Sequence, residues 1–202
     1  MMTTPGILNR FWAQLALLSI TFLPFATPAA AVPMSFDVFA QANSSTGGSG
    51  LDTGISLTLG DVFTVTVAVD DLWNAGNLPR WSNADGLVTD LFSTGTDDSG
   101  VLPAGTKIGQ PFSDWTQNGL TAPFGSLVGS LGGTFFVLGT SFNGPAPATG
   151  NLLLYYWDQN NGDNTEFVTA LVNSPPGQAP TPGTLALLGT ALAVLASRKR
   201  RR

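Results

Sequence analysis

Between residues 158 and 164 the chain reads Asp-Gln-Asn-Asn-Gly-Asp-Asn, which crowds carboxylate, amide and backbone oxygens into one short loop. Asp158, Asn160, Asn161, Asp163 and Asn164 around Gly162 are the hard oxygen ligands that Ca²⁺ accepts in flexible geometry. Zinc and copper favour imidazole or thiolate, and the chain contains neither histidine nor cysteine. The spacing is not that of an EF-hand, because the glycine comes one position early and Thr169 stands where a bidentate glutamate belongs. A β-turn rich in Asn, Asp and Gly for backbone reasons accounts for the same string without a metal. The sequence leaves both readings open.

Four tryptophans, Trp73, Trp81, Trp115 and Trp157, supply flat apolar faces of the kind that cover the C–H face of a sugar at low entropic cost. Each is equally a candidate for core packing, Trp157 most of all. Catalysis has little to work with. Between the two termini there is one lysine, one glutamate and no histidine or cysteine, so serine triads and thiol chemistry are excluded. A glycosidase pair of Glu166 with Asp158 lacks an apolar setting that the sequence reveals, and the expectation is a protein that is not an enzyme.

The elements that must hold these residues are short strands. Phe63, Val65, Val67 and Val69 alternate with Thr64, Thr66 and Ala68, the pattern of a half-buried strand. Similar runs at 35–40, 54–59, 87–92, 126–131, 134–138, 152–157 and 166–172 are separated by Gly, Asn, Asp, Ser and Pro clusters, with no helical period longer than two turns. The expectation is an all-β domain over 32–175, an antiparallel β-sandwich or jelly roll. Residues 93–118 and 139–150 read as loops, where binding residues tend to gather. All 13 acidic residues fall in this domain, with Arg80 and Lys107 as its only basic ones, so its formal charge is −11. Such a surface repels nucleic acid and attracts divalent cations.

The two ends have a different composition. Arg10 is followed by an apolar stretch over 11–25 and then by Ala29, Ala30 and Ala31, the order of a secretory signal, so 1–31 is expected to be a signal peptide that directs export. Pro24 and Pro28 argue against a helix of the mature fold there. At 176–202 an apolar stretch over 183–196 precedes Arg198, Lys199, Arg200, Arg201 and Arg202. As a helix it is about 20 Å long, short of the roughly 30 Å hydrocarbon core, and would insert only with flanking help. Its basic end would stay on the cytoplasmic side.

Pro180, Thr181, Pro182 and Gly183, with the hydrophobic and arginine-rich segments after them, resemble the PEP-CTERM sorting tail of exopolysaccharide-producing Gram-negative bacteria. The resemblance implies a membrane stop processed by an exosortase-type protease and a cell-envelope or extracellular destination. Thr181 departs from the family, which has glutamate there.

A second resemblance runs from Asp52 to Val172. The turn and strand Gly60-Asp61-Val62-Phe63-Thr64-Val65, the run Ala122-Pro123-Phe124-Gly125-Ser126-Leu127 and the strand Leu152-Leu153-Leu154-Tyr155-Tyr156-Trp157-Asp158 with its Asn/Asp loop are similar in order to the PA-I galactophilic type of bacterial lectin. That resemblance implies a galactose-binding-like sandwich with calcium held by Asp158, Asp163 and Asn164, a backbone carbonyl from Asn160 or Asn161, and another from the loop containing Trp73. It also implies a sugar-contacting loop at 82–87, with Ser82 and Asp85 where the family has a histidine and a glutamine. Trp73 and Trp81 would flank the sugar. The expected function is therefore a calcium-dependent, lectin-like binder of extracellular polysaccharide or glycan, with a non-catalytic matrix or surface component as the alternative.

Overall fold

The computed structural model describes residues 33–175. The expected signal peptide, the Pro180–Gly183 sorting motif, the hydrophobic tail and its basic end lie outside the described residues.

Fourteen strands are present among them: β1 (Met34–Phe39), β2 (Leu51–Leu57), β3 (Val62–Thr66), β4 (Trp73–Asn74), β5 (Trp81–Ser82), β6 (Leu91–Phe92), β7 (Lys107–Gly109), β8 (Asp114–Gln117), β9 (Leu120–Pro123), β10 (Leu127–Leu131), β11 (Thr134–Val137), β12 (Ser141–Pro145), β13 (Gly150–Tyr156) and β14 (Phe167–Asn173). Two four-stranded antiparallel sheets, ordered β1-β14-β3-β12 and β11-β10-β13-β2, form the sandwich. Three two-stranded ribbons, β4-β5, β6-β7 and β8-β9, decorate it. The described domain is all-β, as its alternation of apolar and polar residues implies.

That alternation sets which side chains meet. Val38, Phe63, Val65, Val168, Ala170 and Val172 point inward from one sheet, and Ile55, Leu57, Leu127, Leu131, Leu152, Leu154 and Tyr156 from the other. Thr64, Thr66 and Leu171 take the opposite phase and face outward, since a strand presents successive side chains to opposite faces. The second sheet is apolar on its outer side as well. There Val128 and Trp157 are buried beneath Ala122, Leu120 and Trp115 of the β8-β9 hairpin, with Phe135 and Tyr155 alongside. Trp157 donates its indole N–H to the Trp115 carbonyl at 3.0 Å, so this tryptophan is core, held by a polar handle.

Three expectations need correction. Residues 87–92 are expected to be one strand, but strand pairing is confined to Leu91–Phe92, which pair with Gly109 and Lys107 of β7 across a register irregularity between the two. Residues 139–150 contain β12, an edge strand on β3. Only Phe142 of its five residues is large and apolar, and Pro145 ends it at an edge where a missing N–H is tolerated. Residues 93–118 contain β7 and β8, and the latter belongs to the hairpin that covers the second sheet.

Candidate functional site

The inward phase of β13 runs Leu152, Leu154, Tyr156, and Asp158 continues it just past the strand end. This step places a carboxylate at the mouth of the sandwich rather than on its surface, and Asp158 is 4% exposed. A neighbouring segment fixes the position. Ser45 and Tyr156 are joined by N–H to carbonyl at 2.8 Å, the Asp158 N–H donates to Ser45 Oγ at 3.1 Å, and that hydroxyl donates to the Asp158 carbonyl at 3.0 Å. Asp158 Oδ1 accepts the Gln159 N–H at 2.6 Å.

The loop then turns on side chain to backbone bonds. Asn160 Oδ1 accepts the Gly162 N–H at 3.1 Å, and its amide donates to Asp163 Oδ1 at 3.3 Å. The chain leaves the loop pinned to β4, where Asn74 and Thr165 exchange two backbone bonds of 3.1 Å each. Asn164 is 2% exposed and donates its amide to the Ala40 carbonyl at 3.1 Å. Asp163 is exposed, and its carboxylate lies directly against Gly76 of the β4–β5 turn. Gly76 has φ of 113°, and a Cβ there would overlap Asp163 Oδ2, so both backbone and space require glycine.

Two oxygens in this loop lack a donor. Asp158 Oδ2 and Asn164 Oδ1 are buried and accept no hydrogen bond. Burial pushes the Asp158 carboxyl above its usual range; the Asn164 side chain and the Gln159 and Asn160 N–H groups pull it back, and the negative charge of Asp163 raises it again. The sequence reading that Asp158 lacks an apolar setting is thus corrected. The Tyr156 hydroxyl beneath is also buried without a partner, and its pKa is raised well above normal by burial and then by Asp158 and Asp163, with Arg80 opposing.

Unpaired buried acceptors are costly, and a hard cation is one group that satisfies several at once. Asp158, Asp163 and Asn164 fit such an ion in ligand type. The fit is limited in charge: among the described residues no three acidic, histidine or cysteine side chains are grouped so that they could hold a metal ion. Backbone carbonyls and amide oxygens would have to complete the shell, as they commonly do for calcium.

Asp158, Gln159, Asn160 and Asp163 line a cleft of ≈ 170 Å³ together with Ala75, Arg80, Phe112 and Phe124. Phe112 and Phe124 meet edge to face at 5.1 Å, and the Arg80 guanidinium lies over the Phe112 ring at 5.2 Å. The remaining expected residues are placed differently. Asn161 turns away, its amide donating to the Gln41 carbonyl at 3.3 Å.

Trp73 is fully buried and gives its indole N–H to the Asn83 and Gly125 carbonyls at 3.2 and 2.8 Å, so it offers no face to a sugar. Trp81 and Ser82 are 8% and 3% exposed and line a crevice of ≈ 30 Å³, too small for a sugar ring. Asp85 spends its carboxylate on Thr140, accepting the N–H at 2.7 Å and the hydroxyl at 3.0 Å, which caps the turn before β12. Sequence reasoning missed Arg80, Phe112 and Phe124. Arg80 carried a signal as one of two basic residues in an acidic domain, whereas Phe112 reaches the cleft from a segment read as loop.

No protein-family model matches the chain, and no curated protein matches it. Among solved structures, one titled "EclA N-terminal domain; PllA-like lectin" aligns with 20% identity and a TM-score of 0.47, covering 72% of this chain and 98% of that one.

Proposed function

We propose that this chain is an exported, non-catalytic carbohydrate-binding protein of lectin type. Its glycan site is the cleft beside the Asp158–Asn164 loop, and its binding depends on Ca²⁺. The observation that carries the reading is the pair of donorless buried oxygens, Asp158 Oδ2 and Asn164 Oδ1, at the two ends of a loop whose Asp158 and Asp163 line an open cleft. Asp158, Asp163 and Asn164 would hold the ion. Bound calcium supplies open coordination positions that vicinal sugar hydroxyls can fill. Asp163 and Asn160, both exposed at the rim, are acceptors for sugar hydroxyls, and Phe112, steadied edge to face by the buried Phe124, offers apolar surface to the ring.

The leader-like composition of 1–31 and the PEP-CTERM-like tail support export and sorting by an exosortase-type protease, with a cell-envelope or extracellular polysaccharide as the partner. Thermal melting of the full chain in EDTA and in millimolar Ca²⁺ tests the metal, and a glycan array with and without chelator tests the ligand. Ca²⁺ at about a hundred times its dissociation constant should stabilise by about 2.7 kcal/mol, several degrees in Tm. Identical melts in the two conditions would remove the calcium reading. Metal binding without any glycan on the array would favour the matrix component instead.

A further inference from the structure

The described domain has two basic side chains against 13 acidic ones, and they are used differently. Lys107 is spent in an ion pair with Asp90 at 2.8 Å on the surface. Arg80 makes no ion pair among the described residues, although Asp158 and Asp163 line the same cleft. A guanidinium present merely to neutralise those acids would close on one of them, since carboxylate is its best-matched partner. Instead it is held over the Phe112 ring at 5.2 Å. Its base is fixed too: the Arg80 carbonyl accepts the Ala75 N–H at 3.0 Å, and its backbone pairs with Gly109 of β7. The cleft thus presents a cationic fork, without an ion pair among the described residues, in the same lining as the Asp158 and Asp163 carboxylates.

We infer that Arg80 makes this an acidic-sugar site: the glycan carries an anionic substituent, a uronate carboxylate, which Arg80 receives while hydroxyls of the same residue approach the Asp158–Asn164 side. This rests on the reading of the cleft as the glycan site. The domain's charge of −11 repels a polyanion at long range, so retention of an anionic glycan needs local positive charge, which Arg80 supplies from the protein itself. The planar carboxylate matches the guanidinium fork in two parallel bonds, and the Phe112 ring beneath keeps the fork from swinging into water. A sulfate ester shares the charge without the planar match.

The test is calorimetric titration of the full chain in Ca²⁺ with galacturonate, glucuronate and mannuronate against galactose, glucose and mannose, with galactose 6-sulfate as the other anionic arm. At least one uronate should bind about tenfold or more tightly than its neutral counterpart, an advantage that shrinks as NaCl rises. In Arg80→Gln that ratio should fall to about one, and Arg80→Lys, which keeps charge but loses the fork, should lie between. If the sulfated sugar outperforms every uronate, or if Ca²⁺ binds and no uronate is preferred, the proposal is overturned.

A uronate preference that survives in Arg80→Gln also overturns it, because the carboxylate then sits on the ion. The underlying site reading is separable by its own signal. Removing a positive charge beside the ion should raise Ca²⁺ affinity in Arg80→Gln, so absence of Ca²⁺ binding in both proteins points to failure of the site itself.

Discussion

Asp158 Oδ2 and Asn164 Oδ1 are two buried acceptors without a donor, contributed by the first and last residues of one loop. The pair makes the loop's metal dependence separable from its folding. Asp158→Asn keeps an oxygen for the Gln159 N–H, now at 2.6 Å, removes a charge whose burial is unfavourable, and adds two N–H donors. In EDTA the variant should melt at or above wild type, and the increment on adding Ca²⁺ should vanish. Circular dichroism melts in the two buffers read both effects. A variant less stable in EDTA by more than about 1 kcal/mol would show that the ionised carboxylate serves the fold itself.

Gly76 carries Asp163 in place. Gly76→Ala puts a Cβ into the Asp163 carboxylate at a φ of 113°, and should cost about 1–3 kcal/mol while weakening Ca²⁺ binding. Gly100→Ala is the matched control: its φ is 89° but nothing lies near the added Cβ. It should lose stability from backbone strain alone, with Ca²⁺ affinity unchanged by titration. Equal Ca²⁺ affinity in both variants would dissociate Asp163 from the ion.

Seven of the eight strands of the two sheets are legible in the sequence, β12 being the exception: in β3 the alternation of Phe63 and Val65 needs no tertiary information to declare a buried face. The loop at 158–164 was legible for a similar reason, since its oxygen-rich residue types are unusual in such density. What could not be read was direction. Trp73 and Asp85 are of the types that bind sugars, yet Trp73 is consumed by two backbone carbonyls and Asp85 by the Thr140 turn. Those partners lie 10 to 55 residues away in sequence. β4 and β5 are two residues each, too short for any period to show, and they depend on the Asn74–Thr165 bridge for their place. Phe112 reaches the cleft because the segment between β7 and β8 folds back on Leu87, whose carbonyl accepts its N–H at 2.9 Å.

The aromatic residues around the site divide into support and surface. Trp73→Phe leaves the Asn83 and Gly125 carbonyls short of a donor and shrinks the ring that packs edge to face on Tyr156 at 4.5 Å. It should cost about 1–3 kcal/mol, equally in EDTA and Ca²⁺. Phe112→Ala removes a ring that is 44% exposed and should leave Tm within a few degrees while weakening glycan binding several-fold. Calorimetry and melts on the same pair check the division, and a large glycan loss confined to Trp73→Phe would reverse it.

A pH dependence arises at the other acidic gathering. Asp71 accepts the Thr169 N–H at 2.7 Å, Asp98 accepts the Leu72 N–H at 2.9 Å, and Asp37 accepts the Thr169 hydroxyl at 2.9 Å. Burial raises the Asp71 pKa from 3.8; the Thr169 N–H opposes, and the charges of Asp98, Asp70 and Asp37 add to the rise. A carboxyl that holds its proton more tightly folded than unfolded contributes stability below the unfolded value of 3.8, and that contribution is lost as pH rises through the folded value. At neutral pH the ionised group is therefore a net cost, reduced by solvent screening on its exposed side. Asp71→Asn keeps an acceptor for Thr169 and removes the charge. It should be more stable than wild type at pH 7 by up to about 1 kcal/mol, with the gap closing below about pH 4 and narrowing in high salt. Urea denaturation of both proteins from pH 3.5 to 7.5 gives the difference directly, and a variant weaker than wild type at pH 7 would mean that the Thr169 contact needs the full negative charge.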